Sequence, residues 1–173
     1  MSTGAGGPHA VLVMGVSAAG KSAISREVAR ALSATYLDAD DYHPESNRAK
    51  MSAGTPLNDD DRAPWLVAVG AAMAEKQAAG EGVVMACSAL KRAYRKVIVD
   101  AVPGVRFVYL DITPEVVEER LARRRGHFFN PALGASQFKA LEPPTAEEIP
   151  GLIVVDAAQP FRENVDSVLA QLG

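Results

Sequence analysis

The sequence predicts an α/β fold of three layers, with a five-stranded parallel sheet between helices on both faces. Short apolar runs alternate with segments of helical periodicity along the 173 residues, and helical crossovers of this kind connect parallel strands. No linker or internal repeat divides the chain. We therefore expect residues 1–173 to form one domain, with residues 1–8 as a flexible leader.

The first half of the chain is expected to hold three of the strands. Residues 9–14 form an unbroken apolar run, which is typical of a buried strand. The next helix has apolar residues at spacings of four, seven and eight, which predict its buried face: Ile24, Val28, Ala31 and Leu32. The elements predicted after it are a strand at 35–37, a short helix at 45–51, a helix that starts at Arg62 and stops near 80–82, and a strand at 83–87.

The second half continues the alternation with one interruption. A helix through Tyr94 and Ile98 precedes a strand at 105–110, and Thr113 is a plausible N-cap for the helix after it, which enters the basic run 123–125. Residues 126–145 break the rhythm, as a mobile lid would. The last elements are a strand at 152–155 and a helix after Pro160 with an apolar face of Phe161, Val165, Val168, Leu169 and Leu172.

Between the first strand and the first helix, the chain matches the phosphate-binding pattern G-x-x-x-x-G-K-[S/T] at every fixed position. The residues are Gly15, Val16, Ser17, Ala18, Ala19, Gly20, Lys21 and Ser22. Glycines allow the close backbone approaches that aim successive N–H groups at phosphate oxygens. In this pattern Lys21 contacts the β- and γ-phosphates and Ser22 ligates Mg²⁺. The stretch predicts binding of a nucleoside triphosphate.

Composition excludes several other classes of protein. A net charge of −3 and an isoelectric point near 5.6 argue against general nucleic-acid affinity. The single cysteine, Cys87, excludes an internal disulfide framework and is expected to be a buried structural thiol. No apolar run approaches the ~20 residues that cross a bilayer, and the first residues do not resemble a signal peptide. We expect a cytoplasmic protein.

Two carboxylates follow the second strand. Asp38 and Asp40 would point to the same side if the strand geometry continued through them. One can hold Mg²⁺ or its waters, and the other can accept a proton from an attacking hydroxyl. Which aspartate has which role stays open, because neighbouring carboxylates titrate as a pair.

Arginines cluster just before the predicted lid. Arg120 and Arg124 share a helix face and are expected to stack on adenine and to neutralise charge on the transferring phosphoryl group. For Arg123 and Arg125, a solvated helix end that complements the helix dipole is the better interpretation.

Beyond these features, nearly the whole chain, from about residue 11 to 168, resembles gluconokinases of the small phosphate-loop type. The segments that carry the resemblance occur in consistent order: Asp38–Pro44, Asn47–Arg48, Lys50–Met51, Pro56–Arg62, Pro64–Leu66, Cys87–Arg92, Tyr94–Arg95, Arg124 with Gly126–Phe128, Ser136–Phe138 and Leu141–Pro144. The resemblance implies ATP-dependent phosphorylation of D-gluconate at its 6-hydroxyl, a fold close to that of shikimate kinase, and commonly a homodimer.

The resemblance also implies roles for individual residues. Asp40 would be the general base, with Asp38 near the metal. The residues that would hold the polyol and its carboxylate are His43, Arg48, Lys50, Arg92, His127 and Gln137. Arg120 and the turn Gln159–Pro160 match the positions that bracket adenine in related kinases. The sequence departs from the family at Gly134, where a bulky apolar residue is usual, and at Lys96, where an acidic one is usual.

Two alternatives to a gluconokinase stay open. One is a kinase of another small hydroxy acid such as shikimate, and the segment from His43 to Leu66 argues against it. The other is a nucleotide-binding protein without phosphoryl transfer. The presence of all four expected catalytic and phosphate-binding residues argues against it: Lys21, Ser22, Asp40 and Arg124.

Overall fold

The computed structural model describes residues 8–123 and 131–173, and the side chains of all of these except residues 131–134. The strands are β1 (Ala10–Met14), β2 (Thr35–Asp38), β3 (Val83–Ala86), β4 (Arg106–Asp111) and β5 (Ile153–Asp156). The helices are α1 (Lys21–Leu32), α2 (Glu45–Ser52), α3 (Asp59–Ala78), α4 (Arg92–Ala101), α5 (Pro114–Ala122), α6 (Pro131–Ala140) and α7 (Phe161–Leu172). Within these ranges, no helix is long and apolar enough to cross a membrane.

The strands form one parallel sheet in the order β2-β3-β1-β4-β5. β1 lies at the centre, where Val11 pairs with Val84 of β3 and Leu12 with Phe107 of β4. Because all strands run in one direction, their carboxyl ends meet at one edge, which is where parallel sheets bind ligands. The predicted five-stranded parallel sheet is confirmed.

Each face of the sheet is covered by its own apolar core. On one face, Leu12 and Met14 of β1 pack with Trp65 and Met73 of α3. On the other, Val11 and Val13 pack with side chains of α1 and α7, which include Val28, Val165 and Val168. Successive side chains of β1 therefore enter opposite cores. Because both faces of the strand are buried, it is apolar at every position.

Helix α3 begins at Asp59 rather than at the predicted Arg62. Asn58 caps it, because its side chain accepts a hydrogen bond from the N–H of Asp61 (2.8 Å) while the Asp61 carboxylate accepts one from the N–H of Asn58 (2.9 Å). This reciprocal pair satisfies two N–H groups that a helix start otherwise leaves free. The predicted N-cap Thr113 of α5 is confirmed, since its hydroxyl accepts from the N–H of Val116.

Two residues assigned to buried helix faces are exposed. Ala31 is exposed because the buried face of α1 is centred on Ser25 and Ala29, one residue further round the helix than predicted. Phe161 is 44% exposed, since it lies in the first turn of α7 and its ring contacts the guanidinium of Arg162.

The predicted lid, residues 126–145, contains α6. The described part of α6 packs on the protein through the partly buried Phe138 and Ala140, and Leu141 just after the helix does the same. Arg124, Arg125, Gly126, His127 and Phe128 lie outside the described residues. At Gly134 only the helical backbone is described.

Candidate active site

A cavity of about 500 Å³ lies at the carboxyl ends of β1, β2 and β3. Its walls combine loop residues, carboxylates and a lysine: Ser17, Ala18, Gly20, Lys21, Ser22, Ala23, Arg26, Asp38, Asp40, Ala86, Cys87, Ser88 and Gln137. A larger hollow of about 680 Å³ lies beside α4, but the phosphate loop and the two predicted aspartates all face the smaller one. The cavity brings the phosphate loop together with two of the predicted acceptor residues, Asp40 and Gln137.

The phosphate loop joins β1 to α1 and needs both of its glycines. At Gly15 a Cβ atom would lie 3.2 Å from the carbonyl oxygen of Leu110, closer than most real contacts. Gly20 has φ of +100°, a left-handed conformation that favours glycine, and it caps α1. The amino-terminal end of α1, which attracts anions, therefore opens into the cavity.

Lys21 lies at the first position of α1, and its ammonium group donates a hydrogen bond to the carbonyl of Val16 at 3.0 Å. Burial lowers the pKa of Lys21, and the neighbouring carboxylates of Asp40 and Asp38 act in the opposite direction. A partly buried lysine next to the phosphate loop is suited to contact the phosphates of a nucleotide.

The two aspartates do not continue the strand as predicted. Asp38 ends β2, and Asp40 lies in a single turn of 3₁₀ helix, Ala39–Tyr42. The turn forms because the Asp38 carboxylate accepts a hydrogen bond from the N–H of Asp40 at 2.9 Å. Both carboxylates nevertheless line the cavity.

Asp40 keeps an exposed surface, but the protein around its carboxylate removes part of its hydration. This desolvation, and then the negative charge of Asp38, raise the pKa of Asp40, although His43 and Lys21 oppose the shift. A raised pKa makes a carboxylate a better proton acceptor. Asp38 is also contacted by the hydroxyl of Tyr36, at 3.5 Å from the second carboxylate oxygen.

His43 and the basic residues after it follow Asp40 in the chain. The His43 ring stacks on Trp65 with centroids 4.3 Å apart. The indole N–H of Trp65 in turn donates to the carbonyl of Ala39 at 2.7 Å. Trp65 is thus a buried residue that also supports the turn carrying Asp40.

The basic residues expected to hold the acceptor already have protein partners. The Arg48 guanidinium donates to backbone carbonyls of the turn, including Asp41 at 3.1 Å and His43 at 3.3 Å. Lys50 forms an ion pair with Asp61 at 2.8 Å. Arg92, at the start of α4, lines the larger hollow rather than the phosphate cavity. The structure does not bring these three side chains together.

Gln137 of α6 does reach the phosphate loop. Its side-chain oxygen accepts a hydrogen bond from the N–H of Ser17 at 2.5 Å. A residue of the predicted lid thus hydrogen-bonds to an N–H of the phosphate loop, and this contact joins α6 to the cavity wall. Two further site residues predicted from the sequence, Arg124 and His127, lie outside the described residues.

Arg120 connects the loop to the turn after β5. Its guanidinium donates to the carbonyl of Ala18 at 2.9 Å and to the carbonyl of Ala157. The turn is closed by a hydrogen bond from the N–H of Gln159 to the carbonyl of Asp156 at 3.0 Å. Arg120 and the Gln159–Pro160 turn are therefore neighbours, as the prediction of an adenine site requires.

Cys87 directly follows β3 and lines the cavity. The thiol is buried, and burial raises its pKa to about 12, so it remains protonated at neutral pH. The expectation of a structural thiol rather than a nucleophile agrees with this environment.

Two arginines received no role in the sequence analysis, one that lines the cavity and one that lies buried outside it. Arg26 lines the cavity one helical turn after Ser22, and its guanidinium lies 5.1 Å from the centre of the Tyr36 ring. That spacing of four on α1 is a signal that the sequence offered. Arg95 is 1% exposed and belongs to the Tyr94–Arg95 segment, but nothing in the sequence shows what it contacts.

Comparisons with known proteins agree with this geometry. A family model described as AAA domain matches residues 11–142. The chain is 43% identical over 169 residues to the thermoresistant gluconokinase of Escherichia coli (strain K12), covering 98% of this chain and 96% of that protein. It is 40% identical over 141 residues to a gluconokinase of Gluconobacter oxydans (strain 621H), covering 82% and 79%.

Solved structures extend the comparison. The crystal structure of a gluconokinase from Sinorhizobium meliloti 1021 is 40% identical, with a TM-score of 0.83 over 95% of this chain and 91% of that one. A shikimate kinase from Aquifex aeolicus is 17% identical, with a TM-score of 0.57 over 94% of both chains. The latter likeness concerns the fold alone.

Proposed function

The chain belongs to the gluconokinase family, and on that premise we propose that it transfers the γ-phosphoryl group of ATP to the 6-hydroxyl of D-gluconate. The observation that carries the proposal is the cavity itself, in which Lys21 and the phosphate loop face Asp40. Phosphoryl transfer requires mainly that the protein position two substrates and neutralise charge, and this cavity has groups that can do both.

ATP binding begins at the loop. The N–H groups from Ser17 to Ser22 and the positive end of α1 would hold the phosphates. Lys21 would exchange its contact with the Val16 carbonyl for phosphate oxygens, which are stronger acceptors for an ammonium group. Arg120 and the Gln159–Pro160 turn would flank the adenine.

Asp40 would act as the general base. Its carboxylate lines the cavity, and its raised pKa favours taking a proton from the 6-hydroxyl as the phosphoryl group moves. Lys21 on the other side would neutralise the negative charge that spreads over the transferred group. Arg124 lies outside the described residues, so its role in the same step remains the prediction made from the sequence.

The donors present fit Mg²⁺. Ser22 and Asp38 both line the cavity and offer oxygen ligands, which Mg²⁺ prefers. Among the described residues no group of three or more His, Cys, Asp or Glu side chains could enclose a metal, which suits an ion that keeps several waters and is shared with phosphate oxygens. When bound, Mg²⁺ supplies charge neutralisation at the phosphates.

The acceptor would lie between Asp40 and α6. Gln137 lines the cavity and contacts the N–H of Ser17. His43 lies close enough to Asp40 to oppose the rise in its pKa. Arg48 and Lys50 would need to leave their present partners to reach gluconate. Contacts from Arg92 and His127, and assembly into a homodimer, remain proposals from the family resemblance.

A coupled assay of ADP release across gluconate, shikimate and other sugar acids tests the proposal. We expect gluconate alone to stimulate turnover strongly. The matched control is Lys21→Ala, which should lower the gluconate-dependent rate by several orders of magnitude while far-ultraviolet circular dichroism stays unchanged. Stimulation by another acid but not by gluconate would overturn the substrate assignment.

A further inference from the structure

Asn47 is a buried polar side chain to which neither the sequence nor the proposed chemistry gives a role. It lies on α2 and is 1% exposed. Its amide nitrogen makes two contacts, one with the backbone carbonyl of Asp61 at 2.8 Å and one with Nδ1 of His43 at 3.2 Å. Asn47 therefore joins the start of α3 to an imidazole beside Asp40.

The first contact fixes the orientation of the amide group. A backbone carbonyl can only accept a hydrogen bond, so the Asn47 atom that faces Asp61 must be the donating nitrogen. The opposite orientation would place two oxygens against each other. The same nitrogen has a second hydrogen, and this one faces Nδ1 of His43.

The second contact then fixes the proton on the imidazole. Because the Asn47 nitrogen donates, Nδ1 of His43 must accept and cannot carry a hydrogen. In a neutral imidazole the other nitrogen, Nε2, then carries it. The Trp65 indole stacked on the ring, with an interplanar angle of 12°, keeps the ring plane in place.

We propose that Asn47 is a positioning residue that holds His43 in the Nε2–H tautomer, so that His43 donates a hydrogen bond to an acceptor hydroxyl beside Asp40. The inference rests on the proposed function for its consequence in catalysis. A hydroxyl group both donates and accepts, so a donating imidazole and an accepting carboxylate together recognise a polyol. Held as the Nδ1–H tautomer, His43 would offer this site a second acceptor instead.

Burial of His43 favours its neutral form, against the nearby charge of Asp40. The pKa of His43 is lowered, first by burial and then by the positive charges of Arg48 and Arg62, while the carboxylate of Asp40 opposes the shift. Since the folded pKa lies below the ordinary value of about 6.5, the neutral ring persists through neutral pH. As the pH falls through the lowered folded pKa, Nδ1 gains a proton and its contact with Asn47 is lost.

Nitrogen-15 NMR of the histidine rings tests the tautomer without any assay of activity. The chain has three histidines, and a His43→Gln variant assigns the signal of His43. We expect long-range couplings that place the proton on Nε2 near pH 8. A proton on Nδ1, or a doubly protonated ring at that pH, would overturn the inference, and this wild-type measurement decides even if a variant fails to fold.

Variants then test whether Asn47 is the cause. Asn47→Ala should give a mixture of tautomers and lower kcat for gluconate about threefold to tenfold, the size of one lost hydrogen bond, with little change in KM for ATP. The control is Asn164→Ala, which removes a buried asparagine on α7 and should leave the tautomer unchanged. An unaltered tautomer in Asn47→Ala would contradict the positioning role.

The two hypotheses fail differently. An Nε2–H signal in a protein that does not phosphorylate gluconate would contradict the proposed function and support the geometry. Gluconate turnover by a protein whose His43 carries the proton on Nδ1 would contradict the positioning role alone.

Discussion

Replacing Arg95 by methionine should destabilise the protein far more than an ordinary surface substitution would. The guanidinium is almost fully buried and donates to the carboxylate of Glu148 (2.7 and 2.9 Å), to the carbonyl of Ala89 (2.9 Å) and to that of Glu142 (2.8 Å). It thereby ties the loop after β3, which lines the cavity, to the segment after α6.

The size of the loss in stability depends on the groups that Arg95→Met leaves without a partner. Arg95→Met preserves much of the apolar volume but leaves the Glu148 carboxylate, which is 10% exposed, without its cation. Breaking one side of a buried ion pair costs about 3–5 kcal/mol. For a chain of this length, each kcal/mol lowers Tm by about 2–4 °C, so we expect a decrease of roughly 6–20 °C.

Urea unfolding followed by circular dichroism measures the change in the free energy of unfolding. The matched control is the double variant Arg95→Met with Glu148→Met, which removes both charges and should recover much of the loss. Because Ala89 has a positive φ of 44° and depends on Arg95 for its carbonyl partner, kcat should fall as well. A loss below about 1 kcal/mol for the single variant would refute the reasoning.

Four further predictions concern the cavity. Asp40→Asn should lower kcat by about 10²–10⁴-fold with ATP affinity nearly unchanged, because it removes the general base. Asp38→Asn should be partly rescued by raised Mg²⁺, and rescue of Asp40→Asn instead would reverse the two roles. Gln137→Leu frees the N–H of Ser17, so calorimetry should show tighter binding of ATP in the absence of gluconate; unchanged or weaker binding would mean that Gln137 does not compete with phosphate. Lys21→Arg keeps the charge but not the compact ammonium group, and should lower kcat by at least tenfold; near-normal kcat would contradict the assigned contact.

Local patterns in the sequence predicted the parts of the site that local structure determines. The phosphate loop and its lysine follow from one stretch of eight residues between a strand and a helix, and each glycine has the backbone constraint that the pattern implies. The start of α3 at Asp59 could also have been predicted from the sequence, because Asn58 and Asp61 have the spacing of a capping box.

Other parts depended on contacts between distant residues. Arg48 and Lys50 were predicted as acceptor ligands because they are cations in a family segment, but sequence cannot show that backbone carbonyls and Asp61 already engage them. The partners of Arg95 lie 47 and 53 residues away at Glu142 and Glu148. The turn at Asp38 escaped prediction because a side-chain hydrogen bond ends the strand geometry.

The central claim is that this cavity phosphorylates the 6-hydroxyl of gluconate, and the structure of the product tests it most directly. Incubation of the purified protein with ATP, Mg²⁺ and uniformly ¹³C-labelled gluconate, followed by ¹³C and ³¹P NMR, locates the new phosphate ester. We expect coupling between phosphorus and the carbons C6 and C5, and none between phosphorus and C1 or C2. A phosphate on any other hydroxyl, or ADP formed without a phosphorylated acid, would contradict it.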